Sequence, residues 1–394
     1  MKDYPGAFMY GHGSAGTGTT ESANRAAFDK FRIVPRMMRT CTSRSTEVKL
    51  FGKRYASPLL LAPIGVQGII HPDAELATAR AARKVGVPMI MSTASSRSIE
   101  DVAEANGEGD RWFQLYWLKT PEVAISILNR AAQSGFTTLV VTLDTTTIGW
   151  RPHDLEKKYF PFGHGTGCAV GASDAAFMRL HGYSEIKHNM HVEYPYDPDE
   201  LDRRAEEGDE DVKERMRFGN IWSREMNSGL FRTWDDIHFL REHWKGPIVA
   251  KGIQCVEDAE TAMDYVDGIV VSNHGGRQID GAIASLDALD EICASEKIRS
   301  AQKSGNFTVL FDSGIRTGSD IIKALALGAQ AVLLLQLNIY SVGRPYMYGL
   351  TIAGEAGVEE QVRNILADFE ITMGLCGFNG IQDLVGNRAA LIRE

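Results

Sequence analysis

Short apolar runs bounded by turn residues recur along the chain, and their spacing predicts eight β-strands. The runs span residues 59–66, 88–93, 111–116, 138–144, 247–252, 268–273, 308–313 and 331–335. Segments with helical patterns follow most of them. Residues 73–86 have acids early, bases late and a closing glycine, which are the usual start and stop signals of a helix. The segments 121–134 and 318–327 repeat this pattern.

The alternation of strands and helices predicts an α/β fold, a (β/α)8 TIM barrel over residues 59–350. Strands of such a barrel are buried on both faces, which accounts for their nearly continuous apolar character. Active sites of these barrels lie at the C-terminal ends of the strands. Polar residues fall at these predicted ends, namely Thr93, Gln114, Tyr116, Thr142, Asp144, Lys251, Asn273, His274 and Asp312.

An insertion is predicted between the fourth and fifth strands, because roughly a hundred residues separate them, too many for an ordinary connection. We place it at 153–246. Its stretch 197–217 is densely charged. Such a stretch is typical of a solvated helix face or a mobile loop, with a lid over the barrel mouth as the alternative. Since no linker divides the chain, we expect one domain over 1–394, with an N-terminal segment at 1–50 and C-terminal helices at 351–394.

Composition narrows the class of partner. The chain has 394 residues, 44% of them hydrophobic, which is enough for a large buried core. Its formal net charge of −9 and the lack of a basic stripe argue against nucleic-acid binding. The five cysteines include no C-x-x-C pair, so neither disulfides nor a metal site are expected. With no apolar leader or membrane-length run, we expect a cytoplasmic protein with a small-molecule partner.

The segment 272–278, Ser-Asn-His-Gly-Gly-Arg-Gln, places a histidine and an arginine just beyond an apolar strand. A lone histidine is often a satisfied core residue. His274, however, follows a barrel strand and precedes two glycines that permit close backbone approach. We therefore interpret His274 as a general base. A carboxylate would stabilise the imidazolium that forms, and Asp144 is the best candidate for this partner.

Arginine holds a carboxylate through paired donors, which lysine lacks. Arg277 is one candidate. Arg151, in Gly-Trp-Arg-Pro at 149–152, is a second, although alone it would be interpreted as a surface residue. Tyr116 is either a substrate contact at the barrel mouth or a core residue. A base beside two such arginines is suited to oxidising a 2-hydroxy acid.

The loops after the seventh and eighth strands predict a phosphate site. Segment 312–318 contains two glycines and opens a helix, and Gly343 and Arg344 follow the eighth strand. Such loops usually bind phosphate in this barrel, so a phosphate-bearing cofactor is expected. No G-x-G-x-x-G follows an early strand, which argues against a Rossmann nicotinamide site. Lys251 is either a surface lysine or a positive charge beside a cofactor that becomes anionic on reduction.

Over nearly the whole chain, these motifs resemble those of the FMN-dependent 2-hydroxy acid oxidases and dehydrogenases. The segment 272–278 is the most specific of them. The others agree in order and are Ala-Pro-Ile-Gly at 62–65, Gln-Leu-Tyr at 114–116, Thr-Leu-Asp-Thr at 142–145, Lys-Gly at 251–252 and Asp-Ser-Gly-Ile-Arg at 312–316. The resemblance implies a role for each catalytic residue. His274 would be the base and Asp144 its partner. Arg151 and Arg277 would bind the substrate carboxylate, and Tyr10 and Tyr116 would contact the substrate.

The resemblance also implies FMN as the cofactor. The residues implied to bind it are Ala62, Pro63, Thr93, Gln114, Thr142, Lys251 and Ser272, with Asp312, Gly314, Arg316, Gly343 and Arg344 at the phosphate end. The substrate's hydrogen would pass to the flavin, either as hydride while His274 takes the hydroxyl proton or after carbanion formation. Both mechanisms stay open. Members of the family commonly assemble, so a homo-oligomer is expected.

Within the family, three features resemble lactate 2-monooxygenase: Gly65, the segment 149–155 and Phe-Pro-Phe at 160–162. This resemblance implies that the 2-oxo product stays bound while O2 is reduced, so that lactate leaves as acetate and carbon dioxide. A simple oxidase that releases 2-oxo acid and hydrogen peroxide is the first alternative. A catalytically silent barrel is the second, because residues 334–341 form an insertion ahead of the predicted phosphate-binding Gly343 and Arg344.

Overall fold

The computed structural model describes residues 5–183, 194–334 and 345–394. Its centre is a closed barrel of parallel strands, which confirms the predicted (β/α)8 TIM barrel. Within the described residues, the barrel strands, labelled β1 to β8, are Leu59–Leu61, Met89–Ser92, Arg111–Tyr116, Leu139–Thr142, Ile248–Ile253, Gly268–Val271, Thr308–Phe311 and Ala331–Leu334. Each overlaps one predicted strand.

Every barrel strand pairs with the next one in sequence, and β8 closes the barrel on β1 through Val332 and Leu59. Most of the strands are shorter than predicted. In β1, for example, pairing ends before Pro63, which has no N–H to donate. Strands such as β4 and β6 are buried at every position, as expected for a sheet covered on both faces.

Helices surround the barrel, and the three predicted from end signals are confirmed at Glu75–Val85, Pro121–Gln133 and Gly318–Leu327. The other α-helices of the described residues are Pro5–His12, Thr19–Asp29, Ile99–Asn106, Pro152–Glu156, Ala169–Ala172, Ala175–Leu180, Pro198–Glu206, Glu210–Met226, Ile237–His243, Val256–Ala262, Ser285–Ile292, Glu296–Ser304 and Pro345–Leu375. Short 3-10 turns lie at Gln67–Ile69, Pro161–His164, Trp234–Asp236, His274–Gly276, Ile381–Asp383 and Arg388–Ala390. No helix of the described ranges has the length and apolar character needed to span a bilayer.

Two small antiparallel pairings lie outside the barrel. Strand Phe31–Ile33 pairs with Leu391–Arg393, and Val48–Leu50 pairs with Lys53–Tyr55. The first pairing joins the two ends of the described chain. Neither was predicted, because strands of three residues carry too little pattern.

The insertion between β4 and β5 is helical where its charge is densest. Most of 197–217 lies in helices Pro198–Glu206 and Glu210–Met226, and Arg203 forms exposed ion pairs with Glu200 and Glu207. This is the solvated helix face expected from the sequence. The long helix also packs inward at Gly219, where an added Cβ would lie 2.1 Å from the Phe162 carbonyl oxygen. Glycine therefore permits the helix to contact the turn Pro161–His164.

Candidate active site

A cavity that is open to solvent at its mouth lies at the C-terminal ends of the barrel strands. Five of the six residues predicted to be catalytic line it: His274, Arg277, Arg151, Tyr116 and Tyr10. The sixth, Asp144, lies directly behind His274. The sequence reasoning located this cluster because parallel strands end at one edge, which brings their polar residues together.

His274 and Asp144 form a hydrogen-bonded pair. The imidazole Nδ1 lies 2.8 Å from Asp144 Oδ1. A carboxylate only accepts hydrogen bonds, so Nδ1 carries the proton and Nε2 is left as the base. Thr145 completes the arrangement, since its hydroxyl donates to Asp144 Oδ1 at 2.8 Å and lies 3.1 Å from Nδ1.

The backbone at His274 is in the left-handed region, with φ of 60°. This conformation is uncommon for a residue with a Cβ and persists where the surroundings fix it. Here Ser272 Oγ accepts from the His274 N–H at 3.0 Å, and Ser313 Oγ accepts from the Gly275 N–H at 3.0 Å. The histidine is therefore aimed by hydrogen bonds from two different strand ends.

The charges around the pair keep His274 neutral and Asp144 ionised. Burial lowers the pKa of His274, and although Asp144 opposes this effect, Lys251 and Arg151 lower the pKa further. Burial alone would raise the pKa of Asp144, but His274 and Lys251 outweigh burial and hold it below its ordinary value. A neutral imidazole backed by a carboxylate is the state that a general base requires.

The two arginines lie in the wall of the cavity and contact each other's segments. Arg151 Nε donates to the Arg277 carbonyl at 3.1 Å, and Arg277 donates to the Tyr10 carbonyl at 3.0 Å. Gly149 makes this approach possible, because a Cβ there would lie 2.5 Å from the Arg277 carbonyl oxygen. Burial, together with the charge of Arg151, lowers the pKa of Arg277 to about 10, so the Arg277 guanidinium stays charged at neutral pH. A buried and a half-buried arginine in one wall suit a carboxylate.

Both predicted substrate tyrosines are present. Burial raises the pKa of Tyr116 to about 12, so this hydroxyl keeps its proton at neutral pH. Tyr10 lies in helix Pro5–His12, and the Arg277 guanidinium lies 5.5 Å from the centre of its ring. Asp280 ties down the chain beyond that helix by accepting from the backbone N–H and hydroxyl of both Thr17 and Thr19, over 2.5 to 2.9 Å.

The polar residues predicted to hold the flavin ring lie side by side. Gln114 donates to Thr142 Oγ1 at 2.9 Å, and the Gln114 side chain accepts from the Thr93 N–H at 3.1 Å. Thr142 is the register partner of Lys251, whose ammonium donates to Ser272 Oγ at 2.9 Å. At the start of the barrel, Pro63 lines the cavity and Ala62 precedes it with its carbonyl bonded to the Tyr346 hydroxyl at 2.9 Å.

This donor set fits FMN. An amide, hydroxyls and a buried ammonium match the carbonyl and nitrogen edge of a flavin ring. Burial alone would lower the pKa of Lys251, but Asp312 and Asp144 raise it overall, so the lysine is positively charged. Asp312 Oδ2 is buried and has no hydrogen-bond partner among the described residues, so it is available to accept from a hydroxyl such as those of the ribityl chain.

The predicted phosphate end is described only in part. Gly314 follows β7 with φ of 105°, and an added Cβ would lie 2.4 Å from the Phe28 ring. Arg316 bonds Asp320 at 3.1 Å. Gly343, Arg344 and all of the inserted segment except Leu334 lie outside the described residues. The phosphate-binding roles stay predictions.

Sequence reasoning missed three supporting side chains. Thr145 bonds both members of the pair, Ser313 holds the Gly275 backbone, and Gln278 bonds the carbonyls of Asp144 and Thr147 at 2.9 Å. All three stand inside or beside the motifs that carried the prediction. Their proximity to those motifs was the available signal, but hydroxyl and amide side chains there have no distinctive spacing.

The site combines a base paired with a carboxylate, two arginines suited to a substrate carboxylate, and a set of donors that fits a flavin. This combination defines a class of protein, the flavin-dependent oxidoreductases of 2-hydroxy acids. Comparison with known proteins identifies the family within that class. Residues 2–392 match the family model for FMN-dependent dehydrogenases, and the chain belongs to that family. FMN is therefore its cofactor, and its reaction class is the oxidation of 2-hydroxy acids.

The relatives cover nearly the whole chain. An FMN-dependent alpha-hydroxy acid dehydrogenase, qulF of Penicillium citrinum, is 45% identical over 96% of this chain and 84% of its own length. An L-lactate oxidase of Lysinibacillus sphaericus is 37% identical over 96% of this chain and 87% of its own. Among solved structures, mandelate oxidase with benzoyl-formic acid matches with a TM-score of 0.73 and 33% identity, covering 99% of this chain and 93% of that one.

Proposed function

We propose that this enzyme oxidises a small L-2-hydroxy acid, lactate or one of similar size, and retains the 2-oxo product until it is decarboxylated, as in lactate 2-monooxygenase. The acceptor is O2. The net reaction with lactate consumes one O2 and yields acetate, carbon dioxide and water. The first alternative, a simple oxidase, releases 2-oxo acid and hydrogen peroxide.

The residues divide the work of the first step. Arg151 and Arg277 hold the substrate carboxylate, which fixes the hydroxyl-bearing carbon in the cavity. His274 Nε2 takes the hydroxyl proton, and Asp144 stabilises the resulting imidazolium. FMN, when bound, accepts the two electrons of the substrate's C–H bond and passes them to O2. Tyr116, which keeps its proton, donates a hydrogen bond to the substrate oxygen.

The observation that carries product retention is the cover that the insertion gives the cavity. Phe162, Met226 and Asn227 all come from the insertion, and all line the cavity that holds His274. Met226 and Phe162 are buried. The tight contact at Gly219 anchors the long helix to the turn that carries Phe162. These residues lie outside 197–217, the stretch for which a lid was the alternative, but they cover part of the cavity, and that cover favours reaction of peroxide with product before either leaves.

Gly65, one of the three features that resemble lactate 2-monooxygenase, is weak support for this proposal. A Cβ at position 65 would lie 2.7 Å from Ala94 Cβ and 2.8 Å from the Ala94 carbonyl oxygen. The glycine therefore has a packing reason of its own. The proposal rests on the cover of the cavity.

The simple oxidase is favoured by the names of relatives, since an L-lactate oxidase and a 4-hydroxymandelate oxidase of Amycolatopsis orientalis are 37% and 36% identical to this chain. The silent-barrel alternative has less support, since the matched base, acid and arginines converge on one cavity. A cytoplasmic location and a homo-oligomeric state stay predictions.

Product analysis tests the proposal. The FMN-supplemented protein is first reduced anaerobically with L-lactate, and bleaching of the flavin shows that the substrate is oxidised. The reaction is then run in air with catalase, which destroys any peroxide that reaches solution. Acetate and carbon dioxide in equal amounts support the proposal, because they form before peroxide escapes. Pyruvate as the main product assigns the simple oxidase. Bleaching only with larger 2-hydroxy acids, such as mandelate, overturns the assignment to a small substrate.

A further inference from the structure

The His274–Asp144 pair separates two different cavities. His274 lines the substrate cavity and Asp144 does not. Asp144 lines a second cavity, also open to solvent, and His274 does not line that one. Thr145, which bonds both residues, lines both cavities. We call the second one the rear cavity.

The rear cavity is lined mainly by three parts of the fold. The end of β4 and the residues after it contribute 142–146, the end of β5 and the next residue contribute 252–254, and the C-terminal part of the insertion contributes Ser228, 230–234 and Ile237. Trp117, Asp258 and Ile279 complete the lining. Since none of these insertion residues lines the substrate cavity, the two cavities have separate walls on the side of the insertion.

Three residues of the rear cavity each have a buried polar atom without a hydrogen-bond partner among the described residues. They are Asp144 Oδ2, Gln254 Oε1 and Arg232 Nε. The Asp144 side chain is only 7% exposed, and its Oδ2 is 3.9 Å from the Lys251 ammonium, too far for a hydrogen bond. Buried polar atoms are almost always satisfied by protein or by ordered water. Water both donates and accepts, so it suits these two acceptors and one donor in a cavity that both polar and apolar side chains line.

We propose that the rear cavity is a water-filled route to Asp144 that connects the catalytic pair with solvent independently of the substrate entrance. The inference rests on the proposed role of the pair as the base. Substrate oxidation places one proton on His274 while the substrate and cofactor close the front of the site. One proton then leaves the pair to rear-cavity water and one returns from that water, by way of Asp144 and the Thr145 hydroxyl. The proton that exchanges with solvent is the one on Nδ1, which faces Asp144, while the proton taken from the substrate stays on Nε2.

The first test is a crystal structure of the FMN-loaded protein with a 2-oxo acid bound. We expect ordered water within hydrogen-bond distance of Asp144 Oδ2, continued by water at Gln254 and Arg232 towards the surface. A dry rear cavity overturns the inference. This readout does not depend on turnover. If the wild-type enzyme oxidised no 2-hydroxy acid, the proposed function would fail while the route was still tested.

The second test is chemical rescue of Asp144→Ala by formate, a small carboxylate that fits the space left by the side chain. Formate entering from the rear is expected to raise kcat at saturating substrate by about tenfold or more, a part of the usual contribution of a general base. Rescue that is competitive with substrate, or no rescue in a folded variant that retains FMN, overturns the inference. If Asp144→Ala does not fold, the crystallographic test decides.

A bulky substitution in the wall of the rear cavity tests whether formate enters by this route. Ser228 lines only the rear cavity, so Ser228→Leu in the Asp144→Ala background is expected to reduce formate rescue with little change in the KM for substrate. Ser228→Ala in the same background leaves the route open and serves as the control. Rescue that is equal in the two double variants contradicts entry through the rear cavity.

Discussion

The rings of Tyr10 and Tyr159 lie 5.6 Å apart, which joins the predicted substrate tyrosine to the insertion. Tyr159 also packs against Tyr196 with ring centres 5.2 Å apart, and the Tyr196 hydroxyl lies 2.6 Å from His164 Nδ1. The other nitrogen of His164 lies 3.0 Å from Asp202 at the surface. A continuous series of contacts therefore runs from a surface helix of the insertion to the substrate cavity.

Tyr196→Phe should disturb the position of Tyr10 without changing the chemistry of the base. It removes the hydrogen bond to buried His164, at a cost of about 1–3 kcal/mol in stability. We expect KM for the 2-hydroxy acid to rise severalfold while kcat changes less. Tyr183→Phe is the control, since Tyr183 packs on Phe218 within the same insertion and does not contact Tyr10. Equal effects of the two variants on KM would contradict a positioning role.

His274→Gln should remove the base and leave the cofactor bound. A general base typically contributes a factor of about 10² to 10⁴. We expect anaerobic flavin bleaching by substrate to slow by that factor, measured by stopped flow, with the FMN content unchanged. Asp144→Asn should give a smaller loss, because it keeps the shape of the partner but not its charge. A bleaching rate within about threefold of wild type in His274→Gln would show that another group takes the proton.

The activity should fall on the acid side only below the usual histidine range. Burial and two neighbouring cations lower the pKa of His274 from its ordinary 6.5, so the imidazole stays neutral until the pH falls below that value. Tyr116 adds no alkaline loss below its pKa of about 12. We expect a kcat/KM profile with an acid midpoint below 6.5, shifted lower still in Asp144→Asn, which removes the group that raises the pKa of His274. A midpoint above 6.5 contradicts the assignment.

Folding stability should depend on pH in the same sense. The unfolded chain protonates this histidine near 6.5, whereas the folded site resists protonation, so stability is lost as pH falls below 6.5. The depressed pKa of Asp144 adds to the loss at lower pH. Thermal unfolding of wild type and His274→Gln between pH 4 and 8 measures the effect. A pH dependence that is identical in both proteins would argue against it.

Gly65→Ala should destabilise the protein through contact with Ala94. The new methyl group would lie 2.7 Å from Ala94 Cβ and 2.8 Å from its carbonyl oxygen. Overpacking of this kind costs about 1–3 kcal/mol. Gly65→Ala combined with Ala94→Gly should recover part of the loss, because it relieves the contact with Cβ and leaves the one with the carbonyl. Thermal unfolding of the FMN-loaded proteins is the measurement, and a Gly65→Ala variant as stable as wild type rules out the packing explanation.

Asp280→Ala should release the segment that follows Tyr10. The side chain accepts four hydrogen bonds from Thr17 and Thr19, and all four are lost. Since small misplacements at a reacting centre cost up to about 10² in rate, we expect kcat/KM to fall by about tenfold, mainly through KM. Retention of FMN should not change. Asp280→Asn, which keeps one acceptor oxygen, should lie between wild type and the alanine variant, and an intact KM in Asp280→Ala excludes the anchoring role.

The barrel and the convergence of polar residues at its mouth could both be predicted from local sequence patterns. Short buried strands between turn signals leave few alternatives to a closed parallel barrel, and polar residues at strand ends must meet at one mouth. His274, Asp144 and Arg277 could therefore be proposed from position and side-chain chemistry, whereas Arg151 alone would be interpreted as a surface residue and was assigned through the family resemblance. The helices at 121–134 and 318–327 could also be predicted, because helix caps and end charges are local properties of the sequence.

Which atoms meet depends on the tertiary structure. His274 is 130 residues from Asp144 and 129 residues from Thr145, yet it contacts both. The pairing of Phe31–Ile33 with Leu391–Arg393, the tyrosine contacts of the insertion and the rear cavity also join distant segments. Local sequence patterns encode the propensity for helix or strand and the burial of each residue. These long-range contacts arise instead from the packing of the whole chain, because the elements between two residues determine whether those residues meet.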